Sequence, residues 1–143
     1  MEVNYPDIER INARIKEEGR IEKDTFTGYV GIELDEIRPG YCRAHLDIKD
    51  YHLNPMGSLH GGAAFTLMDV AAGYSGVYAN GNHRGLVTQC ADIHFLRPIT
   101  EGRATAESNV IKSGRNTAYS EVKVMNEKSE ICLCADFEMF YTS

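Results

Sequence analysis

Two features within one stretch of this chain have residue types and spacing suited to chemistry: His60-Gly61-Gly62, and Asp69 eight residues beyond Gly61. The histidine and glycines open a long apolar segment. A helix N-terminus leaves backbone N–H groups unpaired and carries partial positive charge, and glycine there lets a ligand approach the backbone. The run therefore reads equally as a cradle for a negative or polarised oxygen and as a plain turn whose glycines serve backbone geometry. Asp69 is the only Asp, Glu, Lys or Arg between Tyr51 and His83, where the chain's 25% charged content would place about eight. A lone carboxylate in an apolar helix is costly unless it is hydrogen-bonded or functional. Its helical neighbours Phe65, Thr66, Ala72, Gly73 and Gly76 are mostly small, leaving room for a ligand or another chain. Capping a nearby loop is the structural alternative. Eight residues of helix span about 12 Å. A reacting carbonyl sits roughly 3 Å from its oxyanion donors and next to the attacking group. One Asp side chain is too short to bridge that gap. If both features act on one atom, they come from different chains, giving a dimer with two shared sites.

Several elements must position these residues. Residues 7–18 place Ile8, Ile11 and Ile15 at helical spacing, with Gly19 as a stop. Val30, Ile32 and Leu34 alternate, Pro39-Gly40 turns the chain, and Ala44, Leu46 and Ile48 resume the alternation, which predicts a strand pair. Residues 50–58 form a loop. Residues 59–78 contain no proline and are apolar almost all round, which predicts one long buried helix. Strand-like runs follow at 86–96, 103–112, 117–125 and 131–141. Alternation puts Asp92 and His94 on the Thr88 face, and Ile131, Leu133, Ala135, Phe137 and Met139 on one face. Short turns predict an antiparallel meander, and a single sheet must curl around the central helix to bury it.

Composition limits the rest. The 143 residues suit one domain, residues 1–143. The formal charge of −6 argues against sequence-independent nucleic-acid binding. The charged N-terminus does not read as a signal peptide, and Asp69 makes the apolar helix a poor membrane span, so a cytoplasmic protein is expected, with no membrane or nucleic-acid partner. Cys42, Cys90, Cys132 and Cys134 have neither zinc nor redox spacing and read as buried free thiols. The five histidines lack metal-ligand spacing, and no metal is expected. The Gly73-Tyr74-Ser75-Gly76 run lacks the spacing of a serine nucleophile elbow.

Asn54, His60-Gly61-Gly62 and Asp69, followed by Leu86-Val87-Thr88 and Phe95-Leu96-Arg97-Pro98, resemble the hotdog-fold acyl-CoA thioesterases, and among them the phenylacetate-degradation (PaaI-like) branch. The resemblance spans about residues 5–141. It rests on the combined spacing, since His-Gly-Gly alone is weak. It implies an α+β hotdog fold: a curved antiparallel sheet wrapped around one long central helix, with a short N-terminal helix. It also implies hydrolysis of acyl-CoA thioesters to free acid and CoA by a homodimer, usually within a homotetramer. In that scheme the Gly61 N–H meets the thioester oxygen. Asp69 of the partner chain is nucleophile or base, and Asn54 helps hold the thioester or the water. Thr88 stands beside the carboxylate, and His60 bonds the thioester region or braces the loop. No cofactor is implied, because CoA is part of the substrate. Its phosphates would meet Arg84, Arg97, Lys112 and Arg115, with Gly62 beside the thioester. The alternative is a non-catalytic acyl-CoA or lipid-binding protein of the same fold.

Overall fold

The computed structural model describes residues 4–19, 22–81 and 83–142. Helix α1 spans Ile8–Glu18, where Asp7 caps the start by accepting the Arg10 N–H at 2.9 Å, and it buries Ile11 and Ile15. A five-residue helix α2, Phe26–Val30, follows. It takes Val30 out of the strand that alternation predicts. Its Phe26 and Tyr29 are exposed, so no apolar period announces it. Gly31, at φ +98°, turns the chain into β1, Ile32–Arg38, which pairs with β2, Tyr41–Asp47. After a short 3-10 turn, Asp50–His52, come α3, Gly61–Val77, and strands β3 Leu86–Phe95, β4 Arg103–Ser113, β5 Thr117–Met125 and β6 Ile131–Tyr141.

All six strands form one antiparallel sheet in the order β1-β2-β4-β5-β6-β3. The expected meander holds for β4, β5 and β6. It fails for β3, which pairs with β6 rather than β4, because both edges of β4 are taken by β2 and β5. The two sheet edges differ. At β1, Asn12 of α1 acts as a strand neighbour: its amide donates to the Ile37 carbonyl at 2.7 Å and accepts the Ile37 N–H at 2.9 Å. Beyond β6, the far edge of β3 is open along ten residues.

The sheet curls over α3. Ala44, Ala104, Ala106 and Ala118 are fully or almost fully buried and let the helix come close to β2, β4 and β5. A buried Ser75–Ser108 hydroxyl pair at 2.8 Å ties helix to sheet, and the Tyr141 hydroxyl donates to the Gly76 carbonyl at 2.9 Å. A Cβ on Gly76 would lie 2.5 Å from Leu86 Cδ2, so any larger residue would push Leu86 off the helix. Leu67, Met68, Ala71 and Ala72 are fully buried.

The expectation that α3 is buried all round is not met. Gly62, Phe65, Thr66, Asp69, Val70 and Gly73, a stripe at helical spacing, remain partly or fully exposed. One sheet of six strands wraps one side of a helix, and the described residues leave most of the other side uncovered. Two smaller expectations also change. Ile131 is 41% exposed, because a register shift at Val124/Met125 takes it off the core face. Of the cysteines, Cys42 and Cys132 are buried, Cys134 is half-buried and Cys90 is exposed. Among the described residues, no helix is long and apolar enough to cross a membrane.

Candidate active site

Strand β3 is rephased by a bulge between Thr88 and Cys90. Thr88 pairs with buried Met139, but Cys90 then pairs with exposed Glu138, and Ala91, Ile93 and Phe95 face the core side in place of Asp92 and His94. Uninterrupted alternation had put Asp92 and His94 there. The bulge lets one strand present Thr88 to the middle of α3 and Phe95 to its start.

At the middle, the Thr88 hydroxyl donates to Asp69 Oδ1 at 2.6 Å. The sole charge of the uncharged window is thus held by one oxygen on the uncovered stripe, and the described residues donate no hydrogen bond to its Oδ2. The burial problem posed by the sequence is solved by exposure as much as by pairing, since Asp69 is only half-buried.

At the start, α3 begins two residues later than the apolar run. Leu59 gives its N–H to Ile99 at 2.7 Å, and His60 is the N-cap. His60 Nδ1 accepts the Gly62 N–H at 2.8 Å, while the Ala63 and Ala64 N–H groups both reach the His60 carbonyl. Gly62 therefore has no N–H left for a ligand. Gly61, the first helical residue, keeps an N–H that no acceptor takes among the described residues. With Nδ1 accepting, a neutral His60 carries its proton on Nε2 and has no second lone pair to act as a base. A Cβ on Gly61 would stand 3.3 Å from the Phe95 ring.

Asn54 shapes the loop that delivers His60. Its Oδ1 accepts the Met56 N–H at 2.9 Å and the Ser58 N–H at 3.2 Å, and its Nδ2 donates to the Ser58 hydroxyl at 3.1 Å. Asn54, Ser58, Gly61, Phe95 and Arg97 share the lining of a cleft of about 280 Å³. Ser58 was not singled out from sequence, and Phe95 entered only as part of the Phe95-Leu96-Arg97-Pro98 strand end, with no role at the site. The four-residue closure of the Asn54 turn could have indicated Ser58, but only the β3 bulge places Phe95.

The basic residues divide. Arg97 lines the cleft and lies 3.5 Å from Glu130. Arg84 donates to the Arg115 carbonyl at 2.8 Å and stacks over the Tyr141 ring, at the Leu86 end of β3. Lys112 sits near the far end of β4, paired with Tyr119. Within one chain these groups do not converge. One set of ligand-type side chains lies elsewhere: Glu33, His45 and Asp47, each offering an atom within 4.8 Å of the others. Asp47 is already held by Arg103 through two bonds of 2.8 and 3.2 Å, and His45 lies between Asp35 at 2.7 Å and Glu33 at 2.8 Å.

Comparison with known proteins matches this arrangement to a family. The model of the thioesterase superfamily matches residues 56–133, which covers Gly61, Asp69, Thr88 and Phe95. The proofreading thioesterase EntH of Klebsiella pneumoniae is 24% identical over 110 residues, 77% of this chain and 80% of that protein. The PaaI protein from the phenylacetic acid degradation operon of E. coli superposes with a TM-score of 0.81 at 23% identity, covering 94% of this chain and 93% of PaaI. The smu.793 protein of Streptococcus mutans, solved bound to acetyl CoA, superposes with a TM-score of 0.76 at 25% identity, covering 86% of this chain and 95% of its own.

Proposed function

This chain belongs to the thioesterase superfamily and has the hotdog fold, and on that premise we propose that it hydrolyses acyl-CoA thioesters at sites shared between two copies of itself. The observation that carries the proposal is β3: an open-edged strand that touches Asp69 near one end, through Thr88, and Gly61 at the other, through Phe95.

Seven residues separate Thr88 from Phe95, about 23 Å of strand. Within one chain the carboxylate and the free N–H are therefore held apart. An exposed strand edge is a template for pairing, and on the β1 edge Asn12 already takes the Ile37 N–H and carbonyl. Two β3 edges paired antiparallel about a two-fold axis near Ala91 set the Thr88 end of one strand against the Phe95 end of the other. Asp69 then meets the partner subunit's Gly61 twice per dimer. The same pairing brings Arg84 and Arg115 toward the partner's cleft, which already contains Arg97, and gathers positive charge where CoA phosphates would lie. It also covers part of the exposed α3 stripe.

In this site the Gly61 N–H, at a helix N-terminus, receives the negative charge that develops on the thioester oxygen. Asp69 attacks the carbonyl carbon, directly or through a water it deprotonates, while Thr88 occupies Oδ1 and leaves Oδ2 free. The thiolate of CoA is a good leaving group and needs no metal. The binding of acetyl CoA by the Streptococcus mutans protein supports CoA as the carrier. Localisation in the cytoplasm and assembly of two dimers into a tetramer belong to the same proposal.

Release of free thiol from an acyl-CoA series tests it. Hydrolysis by the wild type and a loss of at least about 100-fold in kcat for Asp69→Ala, with the fold retained, are expected. Tight binding of acyl-CoA with no turnover by the wild type would instead favour the carrier reading.

A further inference from the structure

An oxygen that takes on negative charge during attack is best stabilised by more than one aimed donor. From Met56 to Ala64, every backbone N–H except that of Gly61 already has an acceptor. Leu59 and His60, the two residues between Ser58 and Gly61, give theirs to the carbonyls of Ile99 at 2.7 Å and His52 at 2.8 Å. These bonds pin the short segment that carries Ser58 and Gly61 into the same cleft. A second donor therefore comes from elsewhere in that cleft. Three of its lining side chains carry one: Asn54, Ser58 and Arg97. The Arg97 guanidinium faces Glu130 at 3.5 Å, and its side chain is 60% exposed.

Ser58 is left with a hydroxyl proton to give. Its Oγ accepts the Asn54 amide N–H at 3.1 Å. Among the described residues its own O–H reaches only Asn54 Oδ1, at 3.4 Å. That is long for an O–H···O bond, and Oδ1 already takes the Met56 and Ser58 N–H groups on its two lone pairs. The Ser58 oxygen thus lies across the front of the amide, and the second amide hydrogen of Asn54 is turned to the other side. The bond that Oγ accepts also polarises the hydroxyl and strengthens it as a donor. Resting on the hydrolase reading, we infer that the Ser58 hydroxyl is the second oxyanion donor, beside the Gly61 N–H, and that Asn54 positions it. The hydroxyl keeps its proton throughout and only donates a hydrogen bond, so Asp69 remains the attacking group.

The test compares wild type, Ser58→Ala and Ser58→Thr on the acyl-CoA that the wild type turns over fastest. Ser58→Ala should lower kcat by about 30-fold or more and leave KM within about threefold, because the donor meets a charge present only in the transition state. Ser58→Thr keeps the hydroxyl and should recover most of the rate. Urea midpoints of both variants should match the wild type. Two analogues of acetyl-CoA separate charge stabilisation from loop shape. One is a trifluoromethyl ketone, whose tetrahedral adduct puts an oxyanion where the thioester oxygen develops one. The other is a thioether with no carbonyl. Ser58→Ala should weaken binding of the ketone by about tenfold or more and leave the thioether unmoved. A kcat for Ser58→Ala within about threefold of wild type, a loss that threonine does not restore, or equal weakening of both analogues overturns the donor role and leaves the hydrolase standing. A wild type without turnover, whose preference for the ketone disappears in Ser58→Ala, overturns the hydrolase and leaves the donor pair.

Discussion

Asp69 is reached through a single hydrogen bond, from Thr88 at 2.6 Å. Thr88→Ala frees the carboxylate to rotate. A fall in kcat of about tenfold is expected, smaller than for Asp69→Ala, with little change in melting temperature because both residues lie on an uncovered face. A pair of kcat and melting measurements checks this. His60 has the opposite profile. Its Nδ1 ends one orphan N–H of α3, so His60→Ala should lower stability by about 1 kcal/mol in urea unfolding. His60→Asn, a good N-cap, should restore most of it. Restoration of stability by Asn shows bracing to be the role of this side chain in the fold.

Among the elements, β1, β2 and β4 carry a polar clasp on their outer face. His45 is 6% exposed, with Asp35 on Nδ1, Glu33 on Nε2, and Asp47 and Arg103 beside it. The Asp35 hydrogen bond raises the imidazole above its usual range. Burial and Arg103 oppose this, and Glu33 adds to it. A folded-state value above the unfolded one of about 6.5 stabilises the protein fully below that pH. That contribution is lost as pH rises through the folded value. Urea midpoints of wild type and His45→Gln should therefore differ most at pH 5–6 and converge as pH rises above neutrality. A difference that grows with pH would contradict the clasp. The β1 edge is a separate element, and Asn12→Ala opens it. Two hydrogen bonds to Ile37 are lost, with an expected destabilisation of about 1–3 kcal/mol, read by thermal unfolding.

For the whole molecule, the open β3 edge and the uncovered α3 stripe predict a dimer whose melting temperature rises with protein concentration. Sedimentation checks the mass. Mixing Gly61→Val chains with Asp69→Ala chains should restore up to about one quarter of wild-type activity, because a hybrid dimer keeps one intact site. Hybrids that form without activity would place both groups in one chain's site.

Much of this is legible in the sequence. The period of three and four in residues 7–18, the alternation of the later strands and the single charge in the apolar window reflect local rules, and local rules are written residue by residue. The eight-residue gap between Gly61 and Asp69 already calls for a second chain if both act on one atom. Other features depend on contacts distant in sequence. The bulge that turns Thr88 and Phe95 to one side is invisible in β3 alone, because its register is set by β6. The pairing of β3 with β6 follows from which edges β4 has left. The bare stripe of α3 appears only when the sheet is seen to cover one side of it. The sequence by itself determined which residues are chemically able, and that Gly61 and Asp69 can act on one atom only from two chains. Only the tertiary structure decided which strand joins them, since strand order and register are settled by competition among distant edges rather than by any segment's own preference.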